Sequence, residues 1–442
     1  MRICLLSYRS YPYSGGQGIY VRHLSRSLRD LGHEVDVISG PPYPELDEDI
    51  RLIKLPSLDL YSLPQHKRLF ISPTKLNSLP NLIEWLGVCA GFFTEPATFG
   101  MRAHKFLRER SRYKNYDVVH DNQSLSYSIL KIKDLSVPVV TTIHHPITID
   151  RDLALYAAKS LWQKWGIKRW YSFVNMQVKV AQKLSHFITG SENSLRQVVD
   201  AFHIPENSIK VIYDGVDTTT FTPDSTVRRT ENRILTVNSG DIPLKGLKYL
   251  LEAVAAVRRQ RKIELVIVGT QMKNGYTEGL VESLGIGDCV TYTGRIPTRE
   301  LVRQYSMATL VVVPSIYEGF GLPAAEAMAC GAPVISTTAG ALPEIVGDAG
   351  ILVPPANTEA LVHAIVALLD APERRSQLGE AGRQRVRNMF NWHNTAKQTV
   401  EVYEEAIKHS RGVKRQIPVT AAVSHRSGED RLTKSFSGAL KT

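Results

Sequence analysis

Short runs of β-branched and aliphatic residues recur along the chain, separated by stretches whose apolar positions repeat with helical spacing. In the first half these runs predict strands at 2–7, 34–39, 118–120, 139–143 and 187–190. In the second half they predict strands at 234–237, 264–268, 290–293, 310–313 and 334–336. The runs are almost continuously apolar rather than alternating, which implies sheets covered on both faces. Strands that alternate with helices make βαβ units and parallel sheets, so the fold class is α/β with two such sheets. A turn-rich segment from Asp214-Gly215-Val216-Asp217 to Thr222-Pro223-Asp224 leads into a charged, apolar-poor stretch and divides the halves. The predicted units are 1–220, 221–390 and a C-terminal amphipathic helix over 391–410, opening at Asn391-Trp392. From Arg411 to 442 the chain is basic and poor in apolar residues, so a disordered tail is expected. Residues 55–100 are aromatic and Pro-rich, and the pattern assigns no element there.

The length of 442 residues suits two domains better than one core. No apolar run approaches the ~20 residues of a membrane span; the nearest, 82–93, is shorter and contains Glu84. Polar Ser7, Arg9 and Ser10 follow the apolar start so closely that it reads as a first strand rather than a signal peptide. Four cysteines, Cys4, Cys89, Cys289 and Cys330, have no metal-like or redox-like spacing. They read as buried thiols of a cytoplasmic protein. The excess positive charge is local. Residues 101–183 hold 15 Lys/Arg against 6 Asp/Glu, and the tail from Arg411 holds 7 against 2. This asymmetry predicts an anionic partner for the first domain. The basic residues form no recognisable nucleic-acid module, so nucleic acid is not expected as a partner.

The most informative stretch runs from Pro314 to Ile335. An apolar strand ends there in the Gly-rich turn Glu318-Gly319-Phe320-Gly321, and Leu322-Pro323 opens a small-residue helix. Unpaired helix N–H groups at such a turn bind anions. Glu318 before the helix and Glu326 inside it flank that position, which suits a phosphate together with several hydroxyls. After the first strand, Ser14-Gly15-Gly16-Gln17-Gly18 gives a second turn where backbone can approach a phosphate. Val21 occupies the third glycine position of the dinucleotide fingerprint, so this is either a phosphate turn of another kind or simply a tight turn. Lys245-Gly246 stands at the corresponding turn of the second half, where a lysine could pair with a diphosphate or remain solvated. His144 and His145 end the strand 139–143, the place where open α/β sheets bind ligands. Two Asp-x-Asp triplets, Asp47-Glu48-Asp49 and Asp150-Arg151-Asp152, have the spacing of a metal–diphosphate grip but sit in charged turns, and no metal is expected.

The stretch around Glu318 and Glu326 resembles the donor-site motif of retaining glycosyltransferase family four. Further pieces follow in that family's order: Gly15-Gly16, Gly32-His33-Glu34-Val35, Asp117-Val118-Val119-His120, Thr142-Ile143-His144, Asp214-Gly215-Val216-Asp217 with Phe221, Lys245-Gly246, Val268-Gly269 and Pro343-Glu344-Ile345. The resemblance implies a GT-B fold, two Rossmann-like domains facing each other across a cleft, with the C-terminal helix crossing back onto the first. It implies retaining transfer of a hexosyl unit from a nucleotide-diphospho sugar, as co-substrate, to an acceptor hydroxyl, without cofactor or metal. Carried over by residue, Glu326 would hold the ribose hydroxyls and Glu318 would face the donor sugar. The Phe320, Gly321 and Leu322 amides would contact sugar and phosphate. Lys245 and the Gly15-Gly16 turn would hold the diphosphate, and His144 would reach the donor sugar from the other domain. One departure stands out. Family members usually carry an arginine shortly before the lysine; here Ser239 of Asn238-Ser239-Gly240-Asp241 takes its place. The diphosphate would then rely on Lys245 and backbone amides, or on Arg295 after Gly294. The missing arginine also leaves a non-catalytic sugar- or nucleotide-binding protein on the same fold as the alternative, and a GT-B phosphorylase as another.

Acceptor choice in such a fold belongs to the first domain's loops. The segment 161–171 interleaves Trp162, Trp165 and Trp170 with Lys164, Lys168 and Arg169. It reads as a core-facing aromatic stripe with solvated bases opposite, as a membrane-interface segment for anionic lipid, or as a stacking platform for sugar. A second basic cluster runs from Arg102 to Lys114. The expected partners are a nucleotide sugar and a glycan, glycolipid or polyprenyl-phosphate acceptor, with a peripheral contact to the cytoplasmic face of a membrane among the readings.

Overall fold

The computed structural model describes residues 1–11, 16–238, 242–272 and 275–416. The first sheet contains β1 (Arg2–Ser7), β2 (Glu34–Ser39), β3 (Arg51–Lys54), β4 (Val118–Asn122), β5 (Val139–Thr142), β6 (Phe187–Thr189) and β7 (Ile209–Val211). Their order across the sheet is β3-β2-β1-β4-β5-β6-β7, and each pairing is parallel. The second contains β8 (Arg233–Val237), β9 (Glu264–Val268), β10 (Val290–Tyr292), β11 (Leu310–Val313), β12 (Val334–Thr337) and β13 (Ile351–Val353). Its order is β10-β9-β8-β11-β12-β13, again parallel throughout. Both orders reverse direction beside the first strand, so each sheet has a switch point where the carboxyl ends of its strands open a crevice.

The central strands are buried along their whole length, as in β4, β5, β11 and β12, which is why their sequences are apolar without alternation. Each sheet carries a hydrophobic cluster on either face. One face of the first sheet is completed from the far end of the chain. The helix Trp392–Gln416 lays Trp392, Ala396, Val402, Tyr403 and Ala406 against Tyr20, Val21 and Leu24 of the helix Gln17–Asp30. Tyr403 donates or accepts at 2.6 Å with His120 Nδ1 on β4, a buried contact that ties this helix to the first sheet. At its start, Val216 pairs with Asn391 in an isolated bridge, and a Cβ on Gly215 would lie 2.5 Å from Trp392 N.

Three differences from the sequence reading have physical causes. Strands β3, β7 and β13 were not predicted: they are short, partly exposed edge strands, and in β3 and β7 Arg51, Lys54 and Lys210 interrupt the apolar pattern, whereas β13 is apolar but only three residues long. Residues 55–100 hold helices Leu79–Cys89 and the start of Glu95–Arg108, each opened by a Pro in its first turn. The C-terminal helix continues to Gln416, so residues 411–416 are helical rather than part of a disordered tail; residues 417–442 lie outside the described residues. Cys4 and Cys330 are buried as expected, whereas Cys89 is exposed. No helix among the described residues is long and apolar enough to cross a membrane.

Candidate active site

A cavity of about 430 Å³ lies between the carboxyl ends of the two sheets. The first sheet's side contributes Gly16, Gln17, Ile19, Tyr20, Gln123, His144, His145, Gly190 and Asp214. The second contributes Lys245 and the turn from Glu318 to Pro323, and Trp392 of the crossing helix closes one side.

The second sheet's wall is built around an ion pair. Lys245 Nζ lies 2.7 Å from Glu318 Oε1, which also accepts from Ser315 Oγ at 2.9 Å. Glu318 is buried, so its charge would be costly without this lysine and hydroxyl. Two close backbone approaches hold the pair in place. Gly246, at φ 66°, brings the lysine turn so near Pro314 that a Cβ would sit 1.9 Å from its carbonyl oxygen. Gly340, at φ 59°, approaches the Glu318 carbonyl to a Cβ distance of 2.0 Å. Neither position admits a side chain without backbone movement. Beyond Glu318, Gly321 is the N-cap of the helix Leu322–Ala329, and Gly321 and the helix's first residues Leu322 and Pro323 line the cavity. Phe320 is buried beneath this turn against Phe390.

The opposite wall fixes a histidine. His144 Nε2 is 2.7 Å from Asn122 Oδ1, so Nε2 carries the proton and Nδ1 is left as a lone-pair acceptor. Its ring stands edge-on to Tyr20 at 4.7 Å between centroids. Burial, with His145 adding to it, pushes the His144 pKa down to about 3, so the ring is neutral. Gln123 braces the backbone, accepting the His144 N–H at 2.9 Å and donating to the His145 carbonyl at 2.7 Å. His145 is 2.8 Å from Asp150 instead of facing the same partners.

The two domains meet beside the cavity. Ser191 Oγ donates to the Gly319 carbonyl at 3.2 Å, and Tyr317 donates to Gln197 at 2.8 Å. Glu344 accepts the backbone N–H groups of Glu192 and Asn193, both at 2.8 Å.

Comparison with known proteins agrees with this arrangement. A profile described as Glycosyltransferase Family 4 matches residues 14–220, and one described as Glycosyl transferases group 1 matches residues 217–385. The MMP alpha-(1->4)-mannosyltransferase of Mycolicibacterium hassiacum is 45% identical over 411 residues, covering 92% of this chain and 98% of that protein. The chain belongs to the group 1, family 4 glycosyltransferases. It is a glycosyltransferase of the hexosyl-transferring kind, and the non-catalytic alternative is not favoured. The D-inositol 3-phosphate glycosyltransferase of Thermobispora bispora is 28% identical, with 92% of this chain and 93% of that one covered. Among solved structures, sucrose-phosphate synthase from Thermosynechococcus elongatus superposes with a TM-score of 0.71 at 25% identity, covering 92% of this chain and 99% of that one. The fold is GT-B.

In this glycosyltransferase, Gly16, His144, His145, Lys245, Glu318, Phe320, Gly321 and Leu322, all singled out in the sequence, line the same cavity. Glu326 does not line it. It lies in the second turn of the helix Leu322–Ala329 and accepts from Tyr305 at 3.1 Å, and burial raises its pKa to about 7. Arg295 is exposed and outside the lining. Gly15 and Ser239 lie outside the described residues. No group of acidic, His or Cys side chains with metal-holding geometry occurs among the described residues; Asp47 and Asp49 pair with Arg29, and Arg26 also binds Asp47. No residue of the helix Leu161–Trp170 is fully buried: Trp170 packs against Tyr61 and Phe93, each at 5.4 Å between centroids, whereas Trp162 and Trp165 do not form a core-facing stripe. Trp162 is 80% exposed and Trp165 53%; Lys168 is exposed, and Arg169 stacks on Phe92 and Trp165. Sequence reading missed Tyr20, Asn122, Gln123, Ser315 and Asp214 as site residues. Asn122 and Gln123 were within reach, since Asn122 ends β4 and Gln123 follows it, at the same carboxyl end of the sheet as His144.

Proposed function

We propose that this glycosyltransferase moves a hexosyl unit, a mannosyl unit first among them, from a nucleotide-diphospho sugar to a glycan hydroxyl, with retention and without a metal ion. The observation that carries the reading is the shared cavity: Lys245, Glu318 and a helix N-terminus on one wall, a neutral His144 on the other. The mannosyltransferase relative supports the sugar and the α-linkage, since an α-linked donor gives an α-linked product when configuration is retained.

When the bond from the anomeric carbon to the phosphate breaks, negative charge grows on the leaving diphosphate. Lys245 and the N–H groups at Gly321–Leu322 are the groups suited to stabilise it. The sugar becomes oxocarbenium-like, and the Glu318 carboxylate stabilises that cation without bonding to it. The acceptor oxygen attacks from the same face and its proton passes to the departing phosphate oxygen. His144, neutral with Nδ1 free, accepts a sugar hydroxyl rather than competing for the phosphate. Glu326 would take the ribose hydroxyls, whose donation favours its ionised form. The outward aromatics and cations of the helix Leu161–Trp170 support a peripheral contact with an anionic membrane on the cytoplasmic side.

A panel of UDP- and GDP-linked hexoses tests the reading by thermal shift and by product analysis with and without EDTA. One donor should stabilise the protein, and its transfer should survive EDTA, give an α-product by NMR and vanish in Glu318→Ala. Failure of every donor to bind or turn over refutes it.

A further inference from the structure

Among the described residues, two carboxylates and one lysine line the cavity, and the lysine is already paired. Lys245 pairs with Glu318, whereas Asp214 has no hydrogen-bond or ion-pair partner among the described residues. Asp214 sits on the linker after β7, on the wall of the first sheet, beside Gly190 at the end of β6 and near Tyr20. A Cβ built on Gly190 would lie at ordinary contact distance, 3.7 and 3.8 Å, from its carboxyl oxygens, so Gly190 and this carboxylate stand side by side on the cavity wall. Burial raises the Asp214 pKa, to about 7, with no cation or N–H group among the described residues to offset its lost solvation. A partly buried acceptor without a donor is costly and is expected to meet its donor in a bound molecule. Repulsion excludes a phosphate as that molecule, and the Lys245 wall already suits phosphate.

We propose that Asp214 is a specificity-determining residue whose carboxylate accepts a hydrogen bond from a sugar hydroxyl bound in the cavity. The inference rests on the glycosyltransferase reading above and adds which side chain selects the sugar. A site that bonds a particular hydroxyl rejects an analogue lacking it, because the buried acceptor is then left unpaired. The hydroxyl belongs either to the transferred sugar or to the acceptor, and the same chemistry serves both.

The test compares wild type with Asp214→Asn and Asp214→Ala, using full-length protein. The probes are UDP-glucose and GDP-mannose, first with water as acceptor and then with an α-(1→4)-linked mannose oligomer. Binding of UDP or GDP, which carry no sugar to be transferred, should be unchanged by thermal shift. Transfer should fall about 10- to 100-fold in kcat/KM, the range for a hydrogen bond to a charged group. If the donor sugar supplies the hydroxyl, hydrolysis falls in parallel; if the acceptor does, hydrolysis holds and the acceptor KM rises. Single-deoxy analogues then locate the hydroxyl: for one of them wild type and Asp214→Asn should converge. Unchanged hydrolysis and transfer in Asp214→Asn would overturn the inference and leave the family reading intact. Equal penalties for every deoxy analogue, or loss of UDP and GDP binding, would overturn it in favour of a structural role. No turnover by wild type would instead remove the reading on which it rests.

Discussion

Glu344 of the second domain caps a helix of the first: its carboxylate accepts the N–H groups of Glu192 and Asn193 at the start of the helix Glu192–Phe202. Tyr213, on the linker, donates to the same carboxylate at 3.1 Å. A carboxylate at a helix N-terminus gains from both free N–H groups and the helix dipole. Here the cap also ties the second domain to the first beside the cavity. Glu344→Ala should weaken closure by about 1–3 kcal/mol. The expected result is a larger radius of gyration in small-angle scattering and a kcat/KM roughly 5- to 100-fold lower. An unchanged radius with unchanged kcat/KM would show that the cap has no part in closure.

The Lys245–Glu318 pair makes a sharper prediction about chemistry. Lys245→Ala removes the cation suited to the leaving diphosphate and leaves Glu318 buried with only the Ser315 hydroxyl. Loss of one such stabilising group costs about 100- to 1000-fold in kcat. The penalty should shrink with an α-glycosyl fluoride, whose leaving group makes no use of the lysine. An equal penalty for both donors would mean that Lys245 positions Glu318 instead of stabilising the leaving group.

The strands that carry the site were legible because both their faces are buried. Val118–Asn122 and Leu310–Val313 lie in sheet interiors, and burial on both sides leaves an unbroken apolar run. His144 was legible for a related reason, as a polar residue just beyond such a run, and Glu318 because a Gly-rich turn and a Pro-opened helix follow it. The helices between 79 and 108 were not. Their anchor is Glu84, a buried carboxylate held by Arg102 at 2.6 Å and Thr98 at 2.7 Å, and a buried ion pair reads in sequence as two surface charges. Asp214 was visible as a turn residue and as part of the Asp214-Gly215-Val216-Asp217 piece of the family pattern, but with no role attached. Its bearing on the cavity depends on the absence of a partner, which spacing along a chain does not reveal.

The helix Leu161–Trp170 allows function to be separated from stability. Trp162 and Trp165 contact each other edge-on at 6.1 Å and bury little else. Replacing both with serine should alter stability by no more than ~0.5 kcal/mol, as for other exposed sites. Binding to vesicles rich in phosphatidylglycerol should nevertheless fall at least fivefold, and added salt should weaken the wild-type binding. Wild-type protein that does not sediment with such vesicles at low salt would remove the membrane contact from the reading.

His120 gives stability a pH dependence of known sign. Its Nδ1 meets Tyr403 at 2.6 Å and its Nε2 meets Thr142 at 2.7 Å, with no room for added charge. Burial, reinforced by His144, lowers its pKa to about 3, so the folded protein keeps the ring neutral. The unfolded chain binds a proton near pH 6.5. Between about pH 6.5 and 3 the unfolded state therefore holds more protons, and the stability that His120 contributes is lost as pH falls through that window. His120→Leu leaves Tyr403 and Thr142 without this partner and should cost about 2–4 kcal/mol at pH 7.5. Because the variant no longer titrates there, its deficit should narrow by up to ~1.4 kcal/mol per pH unit below 6.5. Thermal unfolding of both proteins at pH 7.5, 6.0 and 5.0 measures the gap. A gap that stays constant would mean that His120 titrates in the fold as it does in the unfolded chain, and that its buried contacts with Tyr403 and Thr142 do not resist the proton.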